Sequence, residues 1–288
     1  SEEKFIENSR LAEIKSRGLE QDKKQALDAL LEANEKARKC KENVDELKLE
    51  MQAIETRPGS NIHRDFQELR DEIAENLSLQ RDELVFIGEL IDVKEEQRNW
   101  QGAIERALGG LRTTLLVPKN KYSLVTRWLN VRHTGLHVRA QVVGEQNGRA
   151  VFKDDGFLRK LVWKEHKYRD WLKQHLSRFD LHCVAGTDEL DATPFSMTQQ
   201  GLVQLERGRF EKKDQSRIDN RRQWCLGFSN KSRLALLNTD KSNAELELIG
   251  FNKVLNIART DLDKVTNSAV LWEKLGDFDW DAINAPYW

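Results

Sequence analysis

Residues 26–54 read ALDALLEANEKARKCKENVDELKLEMQAI, and the spacing of their small and apolar side chains decides the fold of this part of the chain. The spacing alternates between four and three residues over four heptads, which is the a/d pattern of a coiled coil. The positions in between are almost all charged or amide residues. A helix break follows at 57–61, which reads RPGSN. The seam consists of Ala26, Leu30, Ala33, Ala37, Cys40, Val44, Leu47, Met51 and Ile54.

A second seam with the same alternation lies further along the chain. It consists of Leu234, Leu237, Lys241, Ala244, Leu248, Phe251, Leu255, Ala258, Leu262, Val265, Ala269 and Trp272. Lys241 is its one polar member, and a polar residue at such a position fixes the register at a cost in stability. Each narrow stripe needs a partner, because it cannot bury itself. We therefore expect the two helices to pair antiparallel. The alternative is two independent amphipathic helices packed on the domain between them.

The residues between the two seams alternate strand and helix signals. Apolar strand signals occur at 84–93 and 115–117, and helical patterns cover 95–108 and 157–176. The predicted fold class is an α/β (α+β) globular domain inserted between two antiparallel coiled-coil helices. The predicted parts are an amino-terminal arm (1–57), a break with a short connecting helix (58–79), the globular domain (80–231), the returning arm (232–275) and a turn with a truncated continuation of the arm (276–288). We expect the chain to be a piece of a longer protein.

Composition and charge exclude several classes of protein. The 288 residues contain 33% charged residues and only four prolines, which favours long solvated helices. Net charge is close to zero, but residues 1–100 carry 17 Lys/Arg and 25 Asp/Glu (17 − 25 = −8), whereas residues 111–175 carry 14 and 5 (14 − 5 = +9). No run of about 18 apolar residues occurs, so we expect no membrane span. The three cysteines lie far apart and form no C-x-x-C pair, which excludes a thiolate zinc site and favours a reducing cytoplasm.

Several short motifs carry a resemblance to a known family. The run Phe86-Ile87-Gly88-Glu89-Leu90-Ile91-Asp92-Val93, followed by Ala103-Ile104-Glu105 and Leu108-Gly109-Gly110, resembles the opening of the hinge domain of SMC proteins. More closely, the chain resembles the JetC family, the condensin-like ATPases of Wadjet plasmid-defence systems in the MukB/MksB-like branch. The segments that carry this closer resemblance are 157–161, 180–184, 208–214, 217–221 and 226–231.

The resemblance implies a homodimerisation hinge with its proximal coiled coil, taken from a DNA-translocating, loop-extruding ATPase. It implies further partners in the full complex: DNA, a kleisin, a winged-helix accessory subunit and a nuclease subunit. ATP and Mg²⁺ are expected only at head domains, whose P-loop motif is absent from these 288 residues. We accordingly expect no catalytic residue, cofactor or metal in this chain, and a location in the cytoplasm on the nucleoid or on plasmid DNA.

Four glycines are candidates for the dimer interface: Gly109, Gly110, Gly201 and Gly208. Hinge interfaces in the family resemble edge-strand pairing between subunits, and such a contact closes as a two-fold dimer. The competing interpretation is that these glycines only end helices and form turns.

A charged run after Gly208 is a candidate junction between the returning arm and the globular domain. Its members are Lys213, Asp214, Arg217, Asp219 and Arg221. Alternating guanidinium and carboxylate groups can fix geometry, because arginine offers a bidentate fork. The competing interpretation is a solvated face.

The basic middle of the chain is a candidate for weak, non-specific DNA binding. Its candidate residues are Arg132, Arg139, Lys153, Arg159, Lys160, Lys164, Lys167 and Lys173. Positive charge binds phosphates by counterion release, and interleaved aromatic residues can stack on unpaired bases. The competing interpretation places the aromatics in the core and the charges in solvent. The rival function is therefore a DNA-binding or DNA-processing domain inserted in a coiled coil.

Overall fold

The computed structural model describes residues 2–146 and 148–283. The chain divides into two compact units, one formed by residues up to Leu49 and from Leu237 onward, the other by Glu50–Leu236. We call them the coiled-coil unit and the α/β unit. The second includes the break and short helix that the sequence analysis assigned to 58–79.

The helices and strands are numbered in chain order. The helices are α1 (Glu2–Glu55), α2 (Arg64–Asn76), α3 (Gln101–Leu108), α4 (Tyr122–Asn130), α5 (Arg169–Leu176), α6 (Thr187–Ala192), α7 (Lys231–Gly276) and α8 (Trp280–Ile283). The strands are β1 (Val85–Phe86), β2 (Ile91–Val93), β3 (Thr114–Pro118), β4 (Arg139–Val143), β5 (Leu161–Trp163), β6 (His182–Cys183), β7 (Ser196–Met197), β8 (Leu202–Glu206) and β9 (Arg209–Lys212). The fold is a mixed helix and sheet domain with long helices on either side of it in the sequence.

The coiled-coil unit pairs α1 with α7 antiparallel. The start of α1 lies beside α8, since the centres of the Phe5 and Trp280 rings are 5.4 Å apart. Further along, the Cys40 thiol lies 3.4 Å from the carbonyl oxygen of Ala244. All positions of both predicted seams are buried or half-buried. The paired seams bury each other's apolar side chains, as the sequence predicted.

The first seam is longer than predicted. The same spacing continues backwards from Ala26 to Phe5, and these positions are also buried or half-buried, Ala12 almost completely. Three of the added positions are polar, and they are Ser9, Ser16 and Lys23. Their polarity hid the first three heptads from a search for apolar residues.

The α/β unit contains three small sheets. The first has the order β1-β3-β4, with β1 antiparallel and β4 parallel to β3. The second pairs β2 with β5 antiparallel. The third has the order β6-β7-β8-β9, in which only the β6–β7 pair is parallel. Strand and helix signals in the sequence therefore correspond to a sheet domain flanked by helices.

The first sheet separates two apolar clusters. Side chains alternate between the faces of a strand, so Leu116 of β3 joins one cluster while Leu115 and Val117 join the other. The Leu116 side includes residues of α3, α5, β2 and β5, and the opposite side includes residues of α2 and α4. The middle strand is buried on both faces and fixes the position of its neighbour β4.

Two predicted helices differ in the structure. The segment 95–108 is a 3-10 helix (Glu95–Trp100) followed by α3. The continuous helix expected at 157–176 is wrong, because this segment forms a 3-10 helix (Phe157–Lys160), then β5, and only later α5. Strand β5 pairs with β2, so that Leu161 lies opposite Val93. A pairing between residues so far apart in sequence leaves no local periodic signal.

Candidate functional site

The strands at sheet edges include β4 and β9. Strand β4 ends the first sheet and β9 ends the third, so each is paired on one side by another strand of the described chain. All five residues of β4 are half-buried, whereas three of the four in β9 are exposed. An edge strand presents unpaired backbone groups that a second chain can pair with.

The two edges differ in charge. Strand β4 reads RAQVV, with Arg139 as its single charged residue, whereas β9 reads RFEK and has three. In β9 these charges pair locally, since Arg209 lies 3.7 Å from Glu211 and Lys212 lies 2.9 Å from Asp214. Charged side chains protect an edge from pairing. The composition of β4 therefore suits a pairing edge, and that of β9 suits a solvated one.

The first two candidate glycines, Gly109 and Gly110, lie between α3 and β3 in the chain. Gly109 ends α3 with a φ of +50°, a conformation that glycine adopts without strain. Gly110 packs against the guanidinium group of Arg139, so closely that a β-carbon on it would lie 2.3 Å from that group. The absence of a side chain at Gly110 therefore leaves room for the guanidinium group of Arg139, the first residue of β4.

The other two candidate glycines lie apart from these. Gly201 has a φ of +81° and faces Arg106 and Ile218, each about 3.1 Å from where a β-carbon would lie. Gly208 has a φ of +78° and forms the turn between β8 and β9, with open space around it. Whether any of the four glycines contacts a second copy stays a prediction.

The predicted junction residues form several separate contacts. Asp214 accepts a bond of 2.7 Å from Arg106 of α3, and Lys213 lies beside Gly109. Arg217 and Asp219 pair with each other at 3.0 Å on the exposed surface. Arg221 lies over the Trp224 ring, 5.8 Å from its centre. The contact between Asp214 and Arg106 links the charged run to a helix of the domain, whereas the Arg217–Asp219 pair is local.

A buried junction lies on residues that the sequence analysis did not select. The carboxylate of Glu105 accepts the backbone N–H groups of Cys225 and Leu226, each at 3.0 Å. Arg112 donates to the same carboxylate at 2.6 Å and to the carbonyl oxygen of Gln223 at 3.0 Å. Because Glu105 is 2% exposed, it fixes the segment that leads into α7 against α3.

A second group of contacts joins the start of α7 to the end of α1, within the α/β unit. The amide of Asn230 donates to the carbonyl oxygens of Ile54 (2.7 Å) and Arg57 (2.9 Å). Arg233 donates to Glu50 at 2.6 Å and to Nδ1 of His63 at 3.1 Å. Burial and the positive charge of Arg233 lower the pKa of His63 to about 4. His63 is therefore neutral at physiological pH and accepts this bond.

One local signal pointed to part of this junction. Asn230 comes directly before α7, and asparagine is a preferred residue at that position of a helix. Glu105 belongs to the Ala103-Ile104-Glu105 motif of the resemblance, but its spacing does not reveal which backbone groups it binds. The contacts between 105 and 226 depend on the tertiary fold.

Most of the candidate DNA-binding residues contact groups of their own chain. Arg132 pairs with Glu72 at 2.8 Å, Arg159 with Asp154 at 2.9 Å, and Lys160 donates to Gln97 at 2.8 Å. Arg139 packs on Gly110, and the backbone N–H of Lys164 donates to Leu90 at 2.9 Å.

Several of these cations cover aromatic rings. Arg132 lies 4.3 Å from the ring centre of Trp128, and Lys160 lies 5.0 Å from that of Trp100. Lys153, Lys167 and Lys173 lie over Phe195, Tyr168 and Trp163 at 5.4, 5.1 and 5.8 Å. A ring covered in this way offers one face fewer for stacking on a base. The exposed members of the set are Arg132, Arg159, Lys164 and Lys167.

Two of the three cysteines are poorly suited to nucleophilic chemistry. Burial raises the pKa of the Cys183 thiol to about 12 and that of Cys225 to about 11, so both are protonated and poor nucleophiles. Among residues 2–146 and 148–283 no three His, Cys, Asp or Glu side chains are grouped to hold a metal ion. In the same ranges no helix combines the length and the apolar character needed to cross a membrane.

Comparisons with known proteins give structural likenesses alone. No protein-family profile matches the chain, and no curated protein matches it. Among solved structures it is similar to the Pyrococcus furiosus Smc hinge domain with an extended coiled coil, at 17% identity and a TM-score of 0.43 over 96% of this chain and 97% of that one.

Two further structures are similar at the same level. An asymmetric dimer of the Geobacillus stearothermophilus SMC hinge domain matches at 15% identity and a TM-score of 0.41, over 86% of this chain and 99% of that one. The folded elbow of cohesin matches at 14% identity and a TM-score of 0.45, over 96% of this chain and 45% of that one.

Proposed function

We propose that this chain is the homodimerisation hinge and proximal coiled coil of an SMC-like DNA-translocating ATPase. One observation carries the proposal. The two ends of the described chain form one antiparallel coiled coil, and the α/β unit is inserted between them in the sequence. In such a chain the second long helix runs back along the first, and together they form one arm. The inserted domain is then the part that can join this arm to the arm of a second copy. The proposed role is architectural.

The free edge of β4 supports dimerisation. It is half-buried and carries one charge, that of Arg139, whose guanidinium group packs against Gly110. Pairing with an edge strand of a second copy satisfies backbone groups that otherwise bind water. If β4 of each copy pairs with β4 of the other, the contact is self-complementary and the assembly closes as a dimer with two-fold symmetry.

A finer assignment rests on the sequence motifs. The segments 157–161, 180–184, 208–214, 217–221 and 226–231 resemble the JetC family, so the parent machine is proposed to extrude DNA loops and to act against plasmids. In that proposal ATP and Mg²⁺ bind at head domains, and a kleisin, a winged-helix subunit and a nuclease complete the complex. The corresponding location is the cytoplasm, on nucleoid or plasmid DNA.

The solution mass tests the proposal. Light scattering at several protein concentrations and at two salt concentrations is expected to give twice the mass of the single chain throughout. A dimer held by backbone pairing and apolar contacts changes little with salt, whereas charge contacts are screened. A monomer at all concentrations would contradict the hinge assignment.

Two neighbouring proline variants locate the contact. Successive residues of a strand direct their backbone groups to opposite sides, so of Gln141 and Val142 one faces β3 and the other faces the free edge. Gln141→Pro and Val142→Pro should therefore differ: one lowers the melting temperature, and the other leaves it nearly unchanged but yields a monomer. If both variants fold and both remain dimeric, β4 is not the pairing strand.

A second candidate function, non-specific DNA binding, is favoured by the excess of nine positive charges in residues 111–175. Lys164 and Lys167 are two of its exposed cations. Lys164→Glu with Lys167→Glu should weaken DNA binding and reduce its salt dependence. The matched control is Lys15→Glu with Lys24→Glu on the exposed surface of α1. Equal binding by both pairs would exclude this surface as the DNA site.

A further inference from the structure

Helix α7 has a second apolar face outside the coiled-coil seam. Leu246, Ile249, Val254 and Ile257 are 69, 53, 55 and 61% exposed. Their spacing of three, five and three residues places them along one side of a helix. We call these four residues the outer stripe. Polar residues bound it at both ends, since Asn243 precedes it and Thr260 follows it.

The outer stripe points away from α1. The seam positions in this part of α7 are Ala244, Leu248, Phe251, Leu255 and Ala258, all buried or half-buried. At 100° per residue, the outer stripe lies on the opposite side of the helix from that seam. The pairing of α1 with α7 therefore leaves the outer stripe uncovered in the described chain.

Gly250 lies in the middle of the outer stripe. Glycine in the interior of a helix is unfavourable, because it loses more conformational freedom than other residues do. Nothing lies within 4 Å of the place where its β-carbon would be, so packing against its own chain does not require it. A missing side chain at this point lets a second helix approach the backbone closely, since the distance between packed helices depends on the side chains at the contact.

The charges beside Gly250 favour one orientation of that second helix. Glu247 lies three residues before it and Lys253 three residues after it. If a second copy of α7 crosses antiparallel at Gly250, Glu247 of each copy lies level with Lys253 of the other. A parallel crossing places Glu247 level with Glu247 and Lys253 level with Lys253. Opposite charges attract and like charges repel, so the antiparallel arrangement is favoured.

We infer that the outer stripe binds the same stripe of a second copy of this chain, antiparallel, with the two Gly250 residues at the crossing point. The arrangement is two-fold and self-complementary. It covers four exposed aliphatic side chains on each copy and forms the Glu247–Lys253 pair twice. It uses residues of the coiled-coil unit alone, so it is independent of the proposed contact through β4.

Cysteine cross-linking of the full chain tests the crossing point. Gly250→Cys should give at least ten-fold more covalent dimer with a short bismaleimide than Gly18→Cys, a matched variant at an exposed glycine in α1 that also has open space around it. The native cysteines interfere little, because Cys40 and Cys225 are buried and the pKa of Cys183 is raised to about 12. Equal yields from both variants would overturn the inference, even if another molecule binds to the outer stripe.

A charge exchange tests the orientation. In the Gly250→Cys background, Lys253→Glu should lower the yield several-fold, because each contact then joins two carboxylates. Adding Glu247→Lys restores opposite pairs in the antiparallel crossing and should restore the yield. Failure of this rescue would overturn the antiparallel register.

A final experiment distinguishes this contact from the hinge dimer. The outer-stripe contact is weaker than the hinge dimer and is detected by cross-linking. Cross-linking at position 250 should therefore persist in the Gln141→Pro or Val142→Pro variant that folds and is a monomer by light scattering. If the yield falls to the Gly18→Cys level there, the stripe has no affinity of its own and the inference fails, while the hinge assignment stands.

Discussion

The coiled-coil unit and the α/β unit bury different kinds of side chain. Among the described residues of the coiled-coil unit, the buried ones are aliphatic or small, such as Ala33, Val44 and Leu47. Every buried polar or charged side chain in the described chain lies in the α/β unit, between Ser60 and Arg233. The first unit is therefore specified by the spacing of apolar residues, and the second also depends on polar groups that must find partners.

That difference decides where each unit is vulnerable. A seam of apolar side chains repeats the same contact many times, so losing one contact removes a small share of the whole. A buried carboxylate such as Glu105 or Glu89 holds several backbone and side-chain donors at once. Removing it leaves those donors without an acceptor in a medium where water cannot replace it. We expect the largest effects of substitution in the α/β unit.

Glu105→Ala is the strongest way to break the polar network. Removing one partner of a buried ion pair costs about 3–5 kcal/mol, because the other charge stays buried without compensation. Here Arg112 keeps its charge, and the N–H groups of Cys225 and Leu226 lose their acceptor. Urea unfolding followed by tryptophan fluorescence should show this loss, since five of the eight tryptophans lie in the α/β unit.

The matched control is Glu165→Ala. The Glu165 side chain is 84% exposed and pairs with Arg169 on the surface. This variant should unfold at the same urea concentration as the parent chain. If Glu105→Ala also left the midpoint unchanged, the buried carboxylate would not hold the junction.

The α/β unit should also respond to pH in a way that the coiled-coil unit does not. All six histidines lie in the α/β unit, and the pKa of His63 is lowered to about 4 by burial and by Arg233. Between pH 6.5 and 4, His63 is therefore protonated in the unfolded chain but neutral in the folded chain. The free energy of unfolding falls as the pH falls. The full loss is on the order of 2–3 kcal/mol, reached as the pH approaches 4.

Unfolding measured between pH 7 and 4 checks this dependence. In His63→Gln the part of the loss due to this histidine should disappear, so the profile becomes flatter. Burial also lowers the pKa values of His166 and His175, which add losses of the same sign in both proteins. Identical profiles for the parent chain and His63→Gln would contradict the assignment.

Leu47→Ala tests the apolar seam. Leu47 is 4% exposed, and removing a buried leucine side chain costs about 2–3 kcal/mol where neighbouring side chains can move inward. Leu31→Ala is the matched control, because Leu31 lies on the same helix but is 59% exposed. Far-UV circular dichroism during urea unfolding should separate the two. Equal midpoints would mean that the seam does not bury position 47.

The same contrast explains what the sequence could predict. The seam from Ala26 to Ile54 was recognised because heptad spacing is a local property of the helix. Its continuation to Phe5 was missed, since Ser9 and Ser16 occupy seam positions without being apolar. Strand β5 was predicted as helix, because its pairing with β2 joins segments about 70 residues apart. The fold class follows from local patterns, whereas the position of β5 depends on a distant partner.

The candidate sites were harder to predict for the same reason. A run of alternating charges drew attention to Arg217 and Asp219, which form an exposed local pair. The buried junction uses Glu105, Asn230 and Arg233, each of which looks ordinary in its own stretch of sequence. Their role depends on carbonyl and N–H groups supplied by segments more than 100 residues away. No spacing rule along the chain records such a partner.

The smallest expected effects compare these two kinds of junction residue directly. Asn230→Ala should lower the free energy of unfolding by about 1–2 kcal/mol, because the two hydrogen bonds from its amide to the carbonyl oxygens of Ile54 and Arg57 are lost. Asp219→Asn should leave the unfolding midpoint unchanged, since its pair with Arg217 is open to solvent and gains little over hydration. Both variants can be measured by urea unfolding at low and at high salt. If Asp219→Asn proved the more damaging of the two, the charged run would contribute more to the junction than its exposure allows, and the contrast between a buried polar network and a solvated one would fail.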